Sequence, residues 1–300
     1  MKKIYRLTPS LHDNIWGGNR LRDYGKVSDK DRIAESWELS FVAGDEARIE
    51  DGRCLSEAFD RAAWGTNCSK FEFFPTLTKF IDARDKLSVQ VHPCDEYALL
   101  NEGQFGKTEM WYVVDAEPGA GLYMGLSHSC TPEEFAASVA DGTVEELLSF
   151  REVSAGDVFF IPAGTVHAIG AGVLIYEIQQ NSTLTYRLYD YMRRDKEGRL
   201  RELHVDKALR VCDLSVYENT FRGDEKLIGS CKYFTVRKLK VSGKTSLSVT
   251  ARSYLAISVV RGEGICEGER AKAGDSFFSP ASSGEITLDG YMTVLTIETL

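Results

Sequence analysis

No stretch of the sequence approaches the ~18 consecutive apolar residues of a membrane helix. The amino-terminal MKKIYRLTPSLHDNIWGG is interrupted by Arg6, His12 and Asp13 before a secretory apolar segment can form. Neither a membrane span nor a signal peptide is expected, and the cytoplasm is the expected location. An excess of basic residues is also missing: 36 Lys and Arg stand against 45 Asp and Glu, for a net charge of −9. A nucleic-acid partner needs a basic face, so none is expected, and an anionic small molecule would need a local basic pocket. The seven cysteines, at 54, 68, 94, 130, 212, 231 and 266, contain no C-x-x-C pair and are odd in number. A disulfide framework and a Cys-based metal site are therefore both disfavoured, and a reducing compartment fits.

What is present is ordinary globular composition, 43% hydrophobic and 27% charged over 300 residues, enough for one large or two modest domains. Ser56–Phe59 opens a short helix that should end near Gly65. From Phe73 onward, short apolar segments (FPTLTKFID, LSVQVHP, EMWYVVD, GLYMGL) alternate with Gly, Pro and Asp turns, the punctuation of a sandwich or barrel. Residues 131–149 interrupt this pattern. Thr131-Pro132-Glu133-Glu134 carries the hydroxyl, proline and glutamate of a capped helix start, Asp141-Gly142 a stop, and Thr143–Glu146 a second cap. Strands resume with GDVFFIPAG and GVLIYEIQQ, a charged turn spans 192–202, LHVDKALRV reads as helix, and from Tyr233 the chain is again strand-like. A weak repeat links Gly156–Pro162 to Gly274–Pro280, as a duplicated unit would.

The sharpest chemical signal is G-D-V-F-F-I-P-A-G-T-V-H, residues 156–167. Gly156-Asp157 makes a turn, a strand leads to Pro162 and Gly164, and a second turn returns His167 to a strand lining the interior. In LSVQVHP, Gln90 and His92 are two apart, so a strand puts them on one face, ~6–7 Å apart, with Val89 and Val91 on the other. Glu109 opens the next strand and adds a carboxylate. Gln90, His92, Glu109 and His167 form a nitrogen and oxygen donor set that suits zinc best, with manganese, cobalt or iron as alternatives. His12, His128 and His204 are read as structural, and Trp16, Trp37, Trp64 and Trp111 as core or wall.

Residues 156–167 match the second cupin motif. The stretches AESWELS, VQVHPCDEYA, GKTEMWYVV, FFIPAGTVHAIGAGVLIYEIQQNS and TYRLYDY resemble the short branch of the class I, zinc-dependent phosphomannose isomerases, from about residue 13 to at least 210. The resemblance implies a mostly β fold with two cupin-type jelly-roll barrels and small helical insertions. A catalytic domain over 1–210, with its insertion near 131–149, would precede a smaller metal-free β domain over 211–300. It also implies one Zn2+ per chain on Gln90, His92, Glu109 and His167, and a sugar-phosphate substrate. Arg187 matches the family's active-site arginine, and Lys107 a lysine proposed to transfer protons. The sequence departs from the family at Cys94, where Asp is usual after His-Pro, and after Pro280, which no histidine follows at ligand spacing.

The implied reaction interconverts mannose 6-phosphate and fructose 6-phosphate through an enediol-like intermediate. Zinc and Arg187 would stabilise the developing oxyanion. Lys107, desolvated beside zinc, would have a lowered pKa and act as base. Ser88, Arg193 and Arg194 are candidates for the phosphate. Rival readings are another metal cupin enzyme, such as a dioxygenase or sugar epimerase, and a sugar-binding regulator without turnover. The oligomeric state is left open.

Overall fold

The computed structural model describes residues 2–195, 197–219 and 223–300. Lys196 of the charged turn and residues 220–222 of the expected carboxy-terminal domain lie outside them. Among the described residues no helix is long and apolar enough to cross a membrane.

The chain is mostly β, in three sheets, none closed on itself among the described residues. The central one has six strands in the order Ser10–His12, Glu35–Leu39, Thr76–Ala83, Val173–Gln180, Glu109–Ala116 and Val158–Ile161. Val173–Gln180 is buried at every position because both faces of this sheet are covered, so its apolar residues run consecutively from Val173 to Tyr176 rather than alternating with exposed ones. Successive side chains go to opposite compartments. Leu174, Tyr176 and Ile178 join Phe80, Met110 and Tyr112 in one core, while Val173 and Ile175 join Ile81, Trp111 and Val113 in another.

The second sheet runs Tyr186–Tyr189, Val89–Val91, His167–Ile169, Gly121–Leu126, Leu148–Glu152. Leu122, Met124 and Ile169 meet the inner face of the six-stranded sheet. Its outer face, with Val89, Val91, Ala168 and Leu188, packs on Phe135 and Val139 of the helix Pro132–Asp141 and on Ala208 of the helix Val205–Leu209. The first helix starts as read, with the Thr131 and Glu134 side chains each bonding the other's backbone N–H and Gly142 closing it in the left-handed conformation. The second expected cap does not form. Val144–Leu147 is a 3₁₀ turn, and the side chain of Thr143 makes no capping bond, because only two residues separate this segment from the preceding helix and its own strand begins at Leu148. The early helical segment is Leu55–Ala58 followed by a 3₁₀ turn at Arg61–Trp64, ending at Gly65.

The third sheet has eight strands, built mainly on Leu255–Cys266 and Gly284–Glu298, with Tyr5–Arg6 from the amino terminus at one edge. Its Val236, Ala256, Phe278, Leu295 and Ile297 complete the core on the outer side of the six-stranded sheet. A buried ion pair, Lys26 Nζ to Glu38 Oε1 at 2.7 Å, crosses this junction, and the same ammonium donates to Gly274 O. The repeat is visible here. Ser154 N donates to Asp157 Oδ2 and Lys272 N to Asp275 Oδ2. Gly156 N bonds Val113 O, and Gly274 N bonds Val259 O. Both glycines have φ near 100°, which only glycine adopts without strain.

Candidate metal centre and active site

The register of the two facing sheets assembles the site. In the five-stranded sheet His167 pairs with Gln90, and Gln90 in turn with Arg187, so these three side chains lie side by side. Val89 and Val91 face the helices instead, as period two requires. In the opposite sheet, one rung runs Trp37, Lys79, Glu177, Trp111, and the next pairs Gln179 with Glu109.

Ligand atoms of His92, Glu109 and His167 all lie within 4.8 Å of one another, and all three residues are buried. His92 Nε2 is 3.3 Å from Glu109 Oε1, and His167 Nε2 is 3.7 Å from Oε2. Each imidazole donates its Nδ1–H to a backbone carbonyl, Leu184 O at 2.8 Å and Thr165 O at 2.9 Å. That fixes the tautomer and turns both Nε2 lone pairs inward. The Gln90 amide reaches within 3.4 Å of His167 Nε2. Glu109 is fully buried; its Oε1 meets the Lys107 ammonium, while Oε2 has no hydrogen-bond partner. Burial would raise its pKa, but the charge of Lys107, with His92 and His167 nearby, outweighs this and holds it well below the usual range. Lys107 offsets the charge at Oε1, but Oε2 is left facing two imidazole lone pairs with no donor, an arrangement that is costly unless a cation joins them, so these residues fit a divalent metal ion.

Lys107 Nζ lies 2.5 Å from Glu109 Oε1 and 3.4 Å from His92 Nε2. The lowered pKa expected for it is not met with the protein's own groups alone. Burial does press it down, but Glu109 and Glu177 outweigh the desolvation and raise it. His92 is pushed down to about 3, by burial first and Lys107 second, and His167 is lowered chiefly by burial.

Ser88 is buried and accepts a bond from Arg187 Nε at 3.3 Å, while Arg187 Nη1 donates to Glu202 O at 2.8 Å. Arg193 is engaged by Asp190 at 2.5 Å and by Lys86 O, with its guanidinium over the Tyr191 ring. Arg194 donates to Gly198 O and lines a cleft of about 400 Å³ with Asn14, Arg32 and Asp195. Gln90, His92, Glu109, His167, Lys107, Arg187 and Ser88 are thus brought together. Arg193 and Arg194 sit in the turn that follows.

The sequence reading missed two buried charges, Lys79 and Glu177, and the half-buried Glu35 beside them. Lys79 Nζ lies 3.5 Å from both Glu35 Oε2 and Glu177 Oε1, and 4.4 Å from the centre of the Trp37 ring. Glu177 accepts from Trp111 Nε1 at 2.9 Å and faces Lys107 at 4.0 Å. Burial and the neighbouring Glu109 raise its pKa. The available signal was a charge in the middle of each of two largely apolar strands, Lys79 in TLTKFIDA and Glu177 in VLIYEIQQ.

Comparison with known proteins agrees with this picture. Residues 4–119 match the family model "Phosphomannose isomerase type I, catalytic domain", and 224–298 match "Mannose-6-phosphate isomerase, cupin domain". The chain is 39% identical to mannose-6-phosphate isomerase ManA of Bacillus subtilis, covering 94% of this chain and 95% of the relative. It is 36% identical to the mannose-6-phosphate isomerase of Streptococcus mutans, over 96% of each. The crystal structure of the mannose 6-phosphate isomerase from Bacillus subtilis superposes with a TM-score of 0.89 at 31% identity, over 99% of both chains. The chain therefore belongs to the type I phosphomannose isomerases, a family with a cupin fold.

Proposed function

We propose that this chain interconverts mannose 6-phosphate and fructose 6-phosphate, using one zinc ion held by His92, Glu109 and His167 with the amide oxygen of Gln90. The observation that carries the reading is Glu109, a buried carboxylate with one oxygen on the Lys107 ammonium and the other unpartnered between two inward-facing imidazoles. Two imidazole nitrogens with carboxylate and amide oxygens suit zinc. When bound, zinc supplies fixed positive charge at the sugar's carbonyl end. The protein's own residues do the rest. His92 and His167 offer Nε2 because their Nδ1–H groups are committed to carbonyls. Lys107 is the proton-transfer group for the C1 and C2 exchange. In its charged form it also stabilises the oxygen that becomes negative in the enediol-like intermediate, assisted by Arg187 one strand away. Ser88, beside Arg187, and the turn arginines Arg193 and Arg194 serve the 6-phosphate. The bonds of Arg193 to Asp190 and Lys86 O mean that it must exchange partners to do so.

We read the two facing sheets as one cupin barrel of jelly-roll type and the eight-stranded sheet as a second. The boundary falls near 210 and 211, and the Tyr5–Arg6 strand is lent to the second barrel. The expected location is the cytoplasm. The test is a coupled assay for fructose 6-phosphate formed from mannose 6-phosphate, with zinc-loaded and chelator-treated protein. Activity that chelation abolishes and zinc restores is expected. A zinc-loaded protein with no turnover refutes the reading.

A further inference from the structure

We propose that Asp95 is a positioning residue that sets the spacing between His92 and Glu109. The inference rests on the metal-site reading above. Its basis is the way residues 106–108, which lead into Glu109, are tied to residues 93–95, which follow His92. Gly106 N donates to Asp95 Oδ1 at 2.9 Å. Lys107 N donates to Pro93 O at 3.0 Å. Thr108 N donates to Gln180 Oε1 at 2.8 Å, Gln180 N returns a bond to Thr108 O at 3.1 Å, and Gln180 Nε2 donates to Asp95 Oδ1 at 2.8 Å. Three consecutive peptide groups are therefore clamped, two of them through one carboxylate oxygen.

The other oxygen meets the segment that leads into the eight-stranded sheet. Asp95 Oδ2 accepts from Tyr233 OH and from Lys232 Nζ, the latter at 2.9 Å. Tyr233 is buried two residues before the Thr235–Ser242 strand of the eight-stranded sheet. Oδ1 thus fixes the metal loop, and Oδ2 anchors it to the carboxy-terminal sheet. That sheet supplies no residue to the His92, Glu109 and His167 cluster, and this bond gives it a hold on the site. Partners that orient ligands in this way typically govern metal affinity or activity by 10–100-fold.

The geometry makes a prediction that a merely charged or merely stabilising Asp95 does not. Asp95→Asn keeps a carbonyl oxygen for Gly106 and Gln180 and can donate its amide to the Tyr233 oxygen, so it should retain kcat and metal affinity within about 3-fold. Asp95→Ala removes the acceptor, and should lower kcat by roughly 10-fold or more with a smaller change in KM. Cobalt(II) affinity, measured by titration against a chromogenic chelator, should fall by a similar factor. Gln180→Leu, which leaves Asp95 in place, should show the same loss in milder form and decides the matter if Asp95→Ala does not fold. Lys232→Ala should change neither quantity. Wild-type kcat and cobalt affinity in folded Asp95→Ala, or in Gln180→Leu if Asp95→Ala does not fold, overturn the proposal. So does a loss in Asp95→Asn as large as in Asp95→Ala. If the wild-type chain lacks isomerase turnover, the isomerase reading fails instead, and cobalt affinity still decides the role of Asp95.

Discussion

At the scale of single residues, the site is a set of charges that stabilise one another away from water. Glu109→Gln removes the anion that offsets Lys107 and any bound metal. Bound zinc should drop below one equivalent and turnover by about 100-fold or more, measured by metal analysis beside the coupled assay. The histidines give a pH signature in metal-stripped protein. His92 titrates near 3 when folded against an ordinary 6.5, and His167 is also lowered. The unfolded chain therefore binds protons that the folded chain refuses. This contribution to stability is complete above pH 6.5 and is lost as pH falls toward 3. Glu177 and Glu298, whose pKa values are raised, act in the opposite sense above 4.5, but as two carboxyls against four lowered imidazoles, His12 and His204 included. The urea midpoint should be lower at pH 5 than at pH 7, and an unchanged midpoint would show that these imidazoles are not held neutral. Legibility at this scale divides cleanly. Gln90, His92, Glu109 and His167 stand in local patterns whose period fixes their side. Lys79, Glu177 and Glu35 gain their meaning only from pairing strands about 40 to 100 residues apart in sequence.

At the scale of elements, the segment before Glu109 has almost no room. A Cβ at Gly106 would lie 2.5 Å from Pro93 O and from Cys94 C, so Gly106→Ala must push the segments carrying His92 and Glu109 apart. Turnover should fall by roughly 10-fold even where thermal melting shows a folded protein, and full activity would mean the loops separate without cost. The helix cap is a contrasting case. Thr131 bonds Glu134 N at 3.2 Å, far in sequence from any ligand, so Thr131→Ala should cost about 1 kcal/mol in chemical denaturation and leave kcat unchanged. This cap was readable because a capping box is local. The failure of the second at Thr143 was not, because the span allowed to that segment is fixed by where the next strand must start.

At the scale of the whole molecule, the six-stranded sheet is the shared wall between the catalytic compartment and the carboxy-terminal sheet. The Lys26 and Glu38 pair is sealed into the latter side, with Glu38 fully buried. Lys26→Met strands that carboxylate and should destabilise by about 3–5 kcal/mol, while the double variant Lys26→Met with Glu38→Leu should recover most of the loss. Denaturation of the three proteins checks this. A single variant as stable as the parent would mean that water reaches the pair. The sequence showed strands and a repeat but not which sheet would be shared, since that depends on what covers each face.

The shared wall also limits how this enzyme can change. Tyr176 and Glu177 are neighbours in the chain but belong to different compartments, one to the packing between sheets and the other to the side that holds Lys107 and Glu109. Adding or deleting one residue within Val173–Gln180 would exchange the two faces, sending Glu177 into the joint between sheets and an aromatic ring toward Lys107 and Glu109. Length variation in this lineage should therefore be confined to the turns, and the central ribbon should vary by substitution alone.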